Sequence, residues 1–136
     1  MTRPTERKVL LDTSVIIDPP SLGTASFADV VSVSAVTLGE LHYGVAAALD
    51  PVEQLHRRHR LALLLSTYDV VPFDAEAAES YGLLATIVRR AGRTPRPRRI
   101  DLMIAATAVS HGLSLATRNG ADLKYLQRVL NVIDVD

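Results

Sequence analysis

Short apolar runs alternate with helical patterns along the whole chain. Val9 to Leu11 is a run rich enough in branched residues for a buried strand, and it stops abruptly at Asp12-Thr13-Ser14. Val30 to Val33 is a second run, leading through Ser34 to Thr37 into a helical pattern at Leu38, Leu41, Val45 and Leu49 that Pro51 closes. Val52 to Ser66 reads as a further helix, with Leu55, Leu61, Leu64 and Leu65 inward. Val70 to Phe73 is a strand, and Asp74 is placed to cap a long helix over Ala75 to Ala91. Gly92 to Arg98 holds Pro95 and Pro97 and reads as a loop. Ile100 to His111 is an alanine-rich helix stopped by Gly112, Leu113 to Thr117 a strand, Asp122 to Leu126 a helical turn or two, and Val132 to Val135 a last short strand. Strands alternating with helices predict an α/β fold, a parallel sheet of four or five strands covered on both faces.

Length and composition narrow the class. At 136 residues the chain is expected to be one domain, residues 1–136, large enough to bury a real core. It has no cysteine, so disulfide frameworks, thiolate metal sites and a cysteine nucleophile are all excluded. Met1 to Lys8 is polar and Asp12 interrupts the apolar stretch after it, which argues against a signal peptide. No segment reaches the length of a membrane span, and the expectation is a cytoplasmic protein. An apolar fraction of 48% and a mean hydropathy of +0.17 are high for a soluble domain and leave apolar surface for an interface. Lys+Arg 15 against Asp+Glu 15 gives zero net charge, which alone points neither towards nor away from nucleic acid.

The candidate chemistry lies in the acids. In an open parallel sheet reactive groups collect at the carboxyl ends of the strands. Asp12 directly follows the first strand, Glu40 lies about a turn beyond the end of the second, Asp101 opens the helix leading to the fourth, and Asp122 lies in the loop after it. Each also has a structural explanation. Asp12 could cap the short helix after it; Thr37 and Glu40 have capping-box spacing; Asp101 suits a helix dipole; Asp122 could cap its own turn. The functional inference therefore rests on the four together. Four converging carboxylates cannot all ionise cheaply unless a cation shares the space. Oxygen donors, with no cysteine and no well-placed histidine pair, select a hard ion, Mg2+ or Mn2+, over Zn2+. Such a site beside a basic surface suits phosphodiester hydrolysis.

Four segments then resemble the PIN-domain ribonucleases, and within them the VapC toxins of type II (VapBC) toxin-antitoxin systems. They are V-L-L-D-T-S-V-I-I-D from Val9 to Asp18, S-A-V-T-L-G-E-L-H-Y-G from Ser34 to Gly44, I-D-L-M-I-A-A-T-A from Ile100 to Ala108, and L-A-T-R-N-G-A-D-L from Leu115 to Leu123. The resemblance covers essentially the whole chain, in the family's order and spacing. It implies a three-layer α/β/α PIN domain and a metal-dependent endoribonuclease whose catalytic, metal-binding acids are Asp12, Glu40, Asp101 and Asp122. In that reading Asp12 and Asp101 are direct ligands, while Glu40 and Asp122 act directly, through water, or at a second metal. Thr13 or Ser14, and Thr117 with Asn119, would hydrogen-bond the site. Leu123 stands where the family commonly has phenylalanine. The resemblance further implies Mg2+ or Mn2+ dependence, homodimers, and inhibition by a small co-encoded VapB-type antitoxin whose tail lies in the active-site groove.

Arg89, Arg90, Arg93, Arg96, Arg98 and Arg99 fall within eleven consecutive residues that contain no acid and lead straight to Asp101. They read either as a solvated helix end and loop or as a rim that binds RNA phosphates, with Arg93, Arg96, Arg98 and Arg99 as the contacts. The cluster His56, Arg57, Arg58, His59 and Arg60 reads rather as a solvated face. His42, two residues after Glu40, points elsewhere on a helix, and His111 suits a helix C-terminus. With four tyrosines, two phenylalanines and no tryptophan, recognition should rest on phosphates and RNA shape, and Tyr43 and Tyr81 on core or dimer packing. Two other classes remain open. One is a metal-dependent phosphotransfer or receiver domain, which also places acids at strand ends but lacks here the expected second acid at Ser14 and a suitably placed lysine. The other is a PIN-fold module that processes or binds RNA without being a toxin.

Overall fold

A computed structural model describes residues 6–136; Met1 to Thr5, part of the polar start, lie outside the described residues. Five strands, β1 (Lys8–Leu11), β2 (Val30–Ser34), β3 (Asp69–Val71), β4 (Ser114–Thr117) and β5 (Val132–Asp134), form one sheet in the order β3-β2-β1-β4-β5. Every pairing is parallel, with Leu11 opposite Val33 on one side and Ala116 on the other. Five α-helices connect or flank them: α1 (Thr13–Ile17), α2 (Ala35–Ala47), α3 (Pro51–Thr67), α4 (Ala75–Arg90) and α5 (Arg99–Ser110). Two 3-10 segments, Arg96–Arg98 and Gly120–Leu126, complete the path.

The central strand shows why both faces are covered. Side chains alternate along a strand, so Leu10 points to one face and Val9 and Leu11 to the other. Leu10 joins Leu115, Leu84 and Val88 of α4, and Leu102 and Ile104 of α5. Val9 and Leu11 join Val15 of α1, Leu64 of α3, Val33 and Ala116. The expected α/β/α layering is therefore present, and β1, flanked on both edges, places Asp12, the residue directly after it, in the middle of the sheet's carboxyl edge. The order 3-2-1-4-5 also differs from the 2-1-3-4-5 order of receiver domains, which removes that alternative.

Several boundaries depart from the sequence expectation for identifiable reasons. The helix expected to run through Leu49 ends at Ala47, and Leu49 is fully exposed. Pro51 does not close that helix but opens α3 at a position where its missing N–H costs nothing, while Asp50 accepts from Val52 N at 3.1 Å. On α3, Leu61 and Leu64 are buried as expected, but Leu55 and Leu65 are exposed. Strand β3 stops at Val71 because Pro72 cannot donate to the ladder. The expected loop over Gly92 to Arg98 contains the 3-10 turn Arg96–Arg98, which feeds directly into α5. Gly92, with φ of +81°, supplies the left-handed residue that lets the chain leave α4.

The capping box expected at Thr37 and Glu40 is not formed. Ser34 is the cap of α2, its hydroxyl accepting from Val36 N at 3.0 Å, so Glu40 lies in the second turn and not the first. Ser34→Ala should lower the stability of the protein by about 1 kcal/mol in thermal or denaturant unfolding. An unchanged midpoint would mean the cap contributes nothing. Among the described residues no helix is long and apolar enough to cross a membrane.

Candidate metal centre

Asp12 accepts more side-chain hydrogen bonds than the other three acids. Its N–H donates to Ala116 O at 2.9 Å, which docks the end of β1 against β4. Only 6% exposed, its side chain does not cap α1. Instead its Oδ2 accepts from Ser14 Oγ at 2.7 Å and from Thr117 Oγ1 at 2.9 Å. Those hydroxyls are themselves oriented by main-chain donors: Arg118 N reaches Ser14 Oγ at 3.1 Å and Asn119 N reaches Thr117 Oγ1 at 3.0 Å. Both hydroxyl protons are thereby directed at one carboxylate oxygen. Oδ1 takes no hydrogen bond from the described residues and is not sealed from solvent, which leaves it open to a cation.

Glu40 is steered from the other side. Thr13 Oγ1 is placed to donate to Glu40 Oε1 at 2.6 Å and to Thr37 Oγ1 at 3.0 Å. Its single proton can serve one at a time, and the ionised carboxylate is the stronger acceptor. Thr13 and Ser14 thus divide the work, one orienting Glu40 and the other Asp12. Asn119 hydrogen-bonds this network through its main chain, by way of Thr117, while its side chain makes no hydrogen bond among the described residues. Arg118, which the sequence reading passed over, braces the same loop, donating through Nε to Asp18 O at 2.8 Å and lying 3.6 Å from the Asp18 carboxylate.

Asp101, in the first turn of α5, brings the group together electrostatically. Its pKa is raised above the ordinary 3.8, first by loss of hydration and then by the charges of Asp12, Glu40 and Asp122, with Arg98 opposing. The three other acids are therefore near enough to repel it. Asp122 sits on the 3-10 segment Gly120–Leu126, and no side-chain bond from it caps that segment. Among the described residues no three acids or histidines stand at the spacing of a formed ligand shell. The all-oxygen donor set, one partly free carboxylate and the shared repulsion fit a hard divalent ion.

A raised carboxyl pKa has a defined effect on stability. The folded state binds the Asp101 proton more tightly than the unfolded chain does, so ionised Asp101 weakens the fold above the raised pKa. That penalty is relieved as pH falls through the raised value towards 3.8. Asp101→Asn is expected to melt above the wild type in EDTA at neutral pH, with the gap closing under acid conditions. Equal melting temperatures across that range would contradict the repulsion.

Two cavities flank the acids. One, of about 410 Å³, is lined by Thr13, Glu40, Glu53, Arg57 and Arg60; the other, of about 280 Å³, by Asp101, Asp122, Arg98 and Tyr125. No histidine lines either. His42 is exposed on α2, and His111 ends α5 with Nε2 3.7 Å from Asp74 Oδ2. Arg57 is a strut, bonded to Glu53 at 3.0 Å and to Gly44 O at 2.7 Å, whereas Arg58, His56 and His59 are exposed as expected. Arg89 and Arg90 occupy the last turn of α4, where cations favour the dipole. Tyr81 packs against the core, but Tyr43 is 75% exposed and is no core residue.

An open parallel sheet with four acids gathered near its carboxyl edge defines the class: an α/β protein with an acidic crevice at the ends of β1 and β4. The chain belongs to the PIN domain family, whose pattern it matches over residues 9–128. Ribonuclease VapC4 of Mycobacterium tuberculosis is 36% identical over 121 residues, 83% of this chain and 87% of that protein. Toxin FitB of Neisseria gonorrhoeae is 33% identical over 123 residues, 82% of this chain and 87% of that protein. A member of the VapBC family of toxin-antitoxin systems, VapBC-5 from Mycobacterium tuberculosis, has a solved structure that matches at a TM-score of 0.81 and 31% identity, covering 94% of this chain and 99% of that one. Dependence on a divalent metal is general among PIN-domain ribonucleases.

Proposed function

We propose that this chain, as a single PIN domain over residues 1–136, is a metal-dependent endoribonuclease and the toxin of a type II toxin-antitoxin pair. The observation that carries the reading is the approach of Asp12, Glu40 and Asp122 to Asp101, whose carboxyl their charges help to hold above the ordinary range; four acids from distant segments so placed suit a shared cation. Mg2+ or Mn2+ is the ion the donors suit. When bound, it supplies positive charge against the charge developing on the phosphate and lowers the pKa of a water. Asp12, held by Ser14 and Thr117, would offer the ion its free oxygen, and Glu40, held by Thr13, with Asp101 and Asp122 would supply the remaining carboxylates. Arg93, Arg96, Arg98 and Arg99 form a rim that draws the RNA backbone over these acids.

The partner is a VapB-type antitoxin whose tail enters the acidic crevice, and the chain itself pairs as a homodimer in the cytoplasm. Exposed Tyr43, Leu63 and Leu83, each at least 65% exposed, provide apolar surface for such contacts. The deciding experiment maps new RNA ends in cells expressing the wild-type chain or Asp12→Ala. New ends confined to the wild type support the reading and name the substrate. The same ends in both strains would contradict it.

A further inference from the structure

Tyr125 lies beside the acids but belongs to none of the roles above. It lines the 280 Å³ cavity with Asp101, Asp122 and Arg98. Three cations surround it. Arg93 donates through Nε to its hydroxyl oxygen at 3.1 Å and its guanidinium lies 5.2 Å from the ring centre, while the Lys124 ammonium lies 5.3 Å from the same centre. Arg98 is the third, on the wall shared with Asp101. These groups come from the loop after α4, the 3-10 turn before α5 and the last loop, so the fold, not the sequence, assembles them.

We propose that Arg93, Lys124, Arg98 and Tyr125 form a phosphate subsite holding a phosphate of the RNA strand next to the one that is cut. Three cations gathered round one half-buried ring repel one another, and a polyanion is the ligand their chemistry fits. The Tyr125 oxygen accepts from Arg93, so its own proton is free to donate outward to a phosphate oxygen. The hydrogen bond from Arg93, reinforced by the charges of Arg93, Lys124 and Arg98, holds that hydroxyl below the usual phenol pKa, which makes it a better donor. Asp101 and Asp122 on the adjoining wall place the scissile phosphate beside the subsite, and this step rests on the ribonuclease reading of those acids. Tyr125 is thus a binding residue, although in sequence it reads only as part of the helical turn Asp122 to Leu126.

The test uses a short fluorescein-labelled single-stranded RNA of mixed sequence, with anisotropy in EDTA over a range of salt and cleavage in Mg2+ or Mn2+. The Arg93→Gln/Lys124→Gln double variant should bind roughly tenfold more weakly for each contact removed. Its plot of log affinity against log salt should be shallower by about 0.7 per lost phosphate contact. Tyr125→Phe should also bind roughly tenfold more weakly, but with an unchanged salt slope, because no charge is lost. If Arg93 merely pins its loop to Tyr125, the charge variants would leave the slope of the wild type, and that outcome overturns the subsite. Lys124→Gln alone guards against misfolding, since Lys124 is exposed and its side chain makes no hydrogen bond among the described residues; its slope should still fall by about 0.7. A wild type that binds this RNA but never cuts it would instead overturn the role of the acids, while its salt slopes still decide the subsite.

Discussion

Asp12→Asn is expected to lower RNA cleavage about a thousandfold while leaving the melting temperature close to that of the wild type. Asparagine has the shape of aspartate, and its amide can still meet the hydroxyls of Ser14 and Thr117, which rotate to suit. The change therefore removes charge and leaves the packing. What is lost is the carboxylate oxygen that Ser14 and Thr117 leave unoccupied, and with it the proposed direct ligand at the centre of the sheet edge. Metal-assisted phosphodiester hydrolysis draws several kcal/mol from the ion, and losing about 4 kcal/mol corresponds to roughly a thousandfold. The measurement is a time course of end-labelled RNA cleavage in Mg2+ or Mn2+, paired with a thermal melt. Cleavage within tenfold of the wild type would show that Asp12 is not a ligand.

Thr117→Val should cost tenfold to a hundredfold in activity, the usual effect of removing a group that orients a ligand. Thr117 is completely buried, so the role expected of it is to position Asp12. Its hydroxyl does two things at once, donating to Asp12 Oδ2 at 2.9 Å and accepting from Asn119 N at 3.0 Å. Valine keeps the volume and loses both bonds. Asp12 then rests on Ser14 alone, and the Asn119 N–H is left without its partner, which costs about 1–3 kcal/mol of stability. A purely structural role would lower stability without changing the metal dependence. The positioning role predicts that cleavage by the valine variant needs a higher metal concentration, and that Thr117→Ser restores the wild-type curve. Identical metal titrations for valine and threonine would rule positioning out.

These two expectations differ in how far the sequence alone supports them. Asp12 is legible because Val9 to Leu11 is too short and too branched to be anything but a buried strand, and the residue ending such a strand must emerge at its carboxyl edge. Asp101 and Asp122 follow by the same logic from the fourth strand. Glu40 was reached by the same rule, but its surroundings were not legible. Thr37 and Glu40 have the spacing of a capping box, and only burial of Ser34 and Thr37 shows that Ser34 is the cap and that Thr37 belongs to the polar cluster around Thr13. For Asn119 the sequence could say that the residue mattered, not whether its amide or its main chain acts. That depends on which group faces Thr117 once the loop has closed.

The arginine segment shows the same limit. As a string, Arg89 to Arg99 is one basic run. In three dimensions Arg89 and Arg90 stay on the end of α4, while Gly92 and the turn at Arg96–Arg98 bring Arg93 to Tyr125 and Arg98 to Asp101. Nothing local to Tyr125 signals a partner 32 residues away.

The sequence by itself therefore determined the layering, the parallel sheet and the four acids, because strand and helix periodicity and the chemistry of strand ends are local properties. Only the tertiary structure decided which oxygen of Asp12 is free, which hydroxyl serves which acid, and which cations gather at Tyr125. Those depend on hydrogen bonds and charges between segments as much as 105 residues apart, and no local pattern encodes them until the sheet has closed around β1.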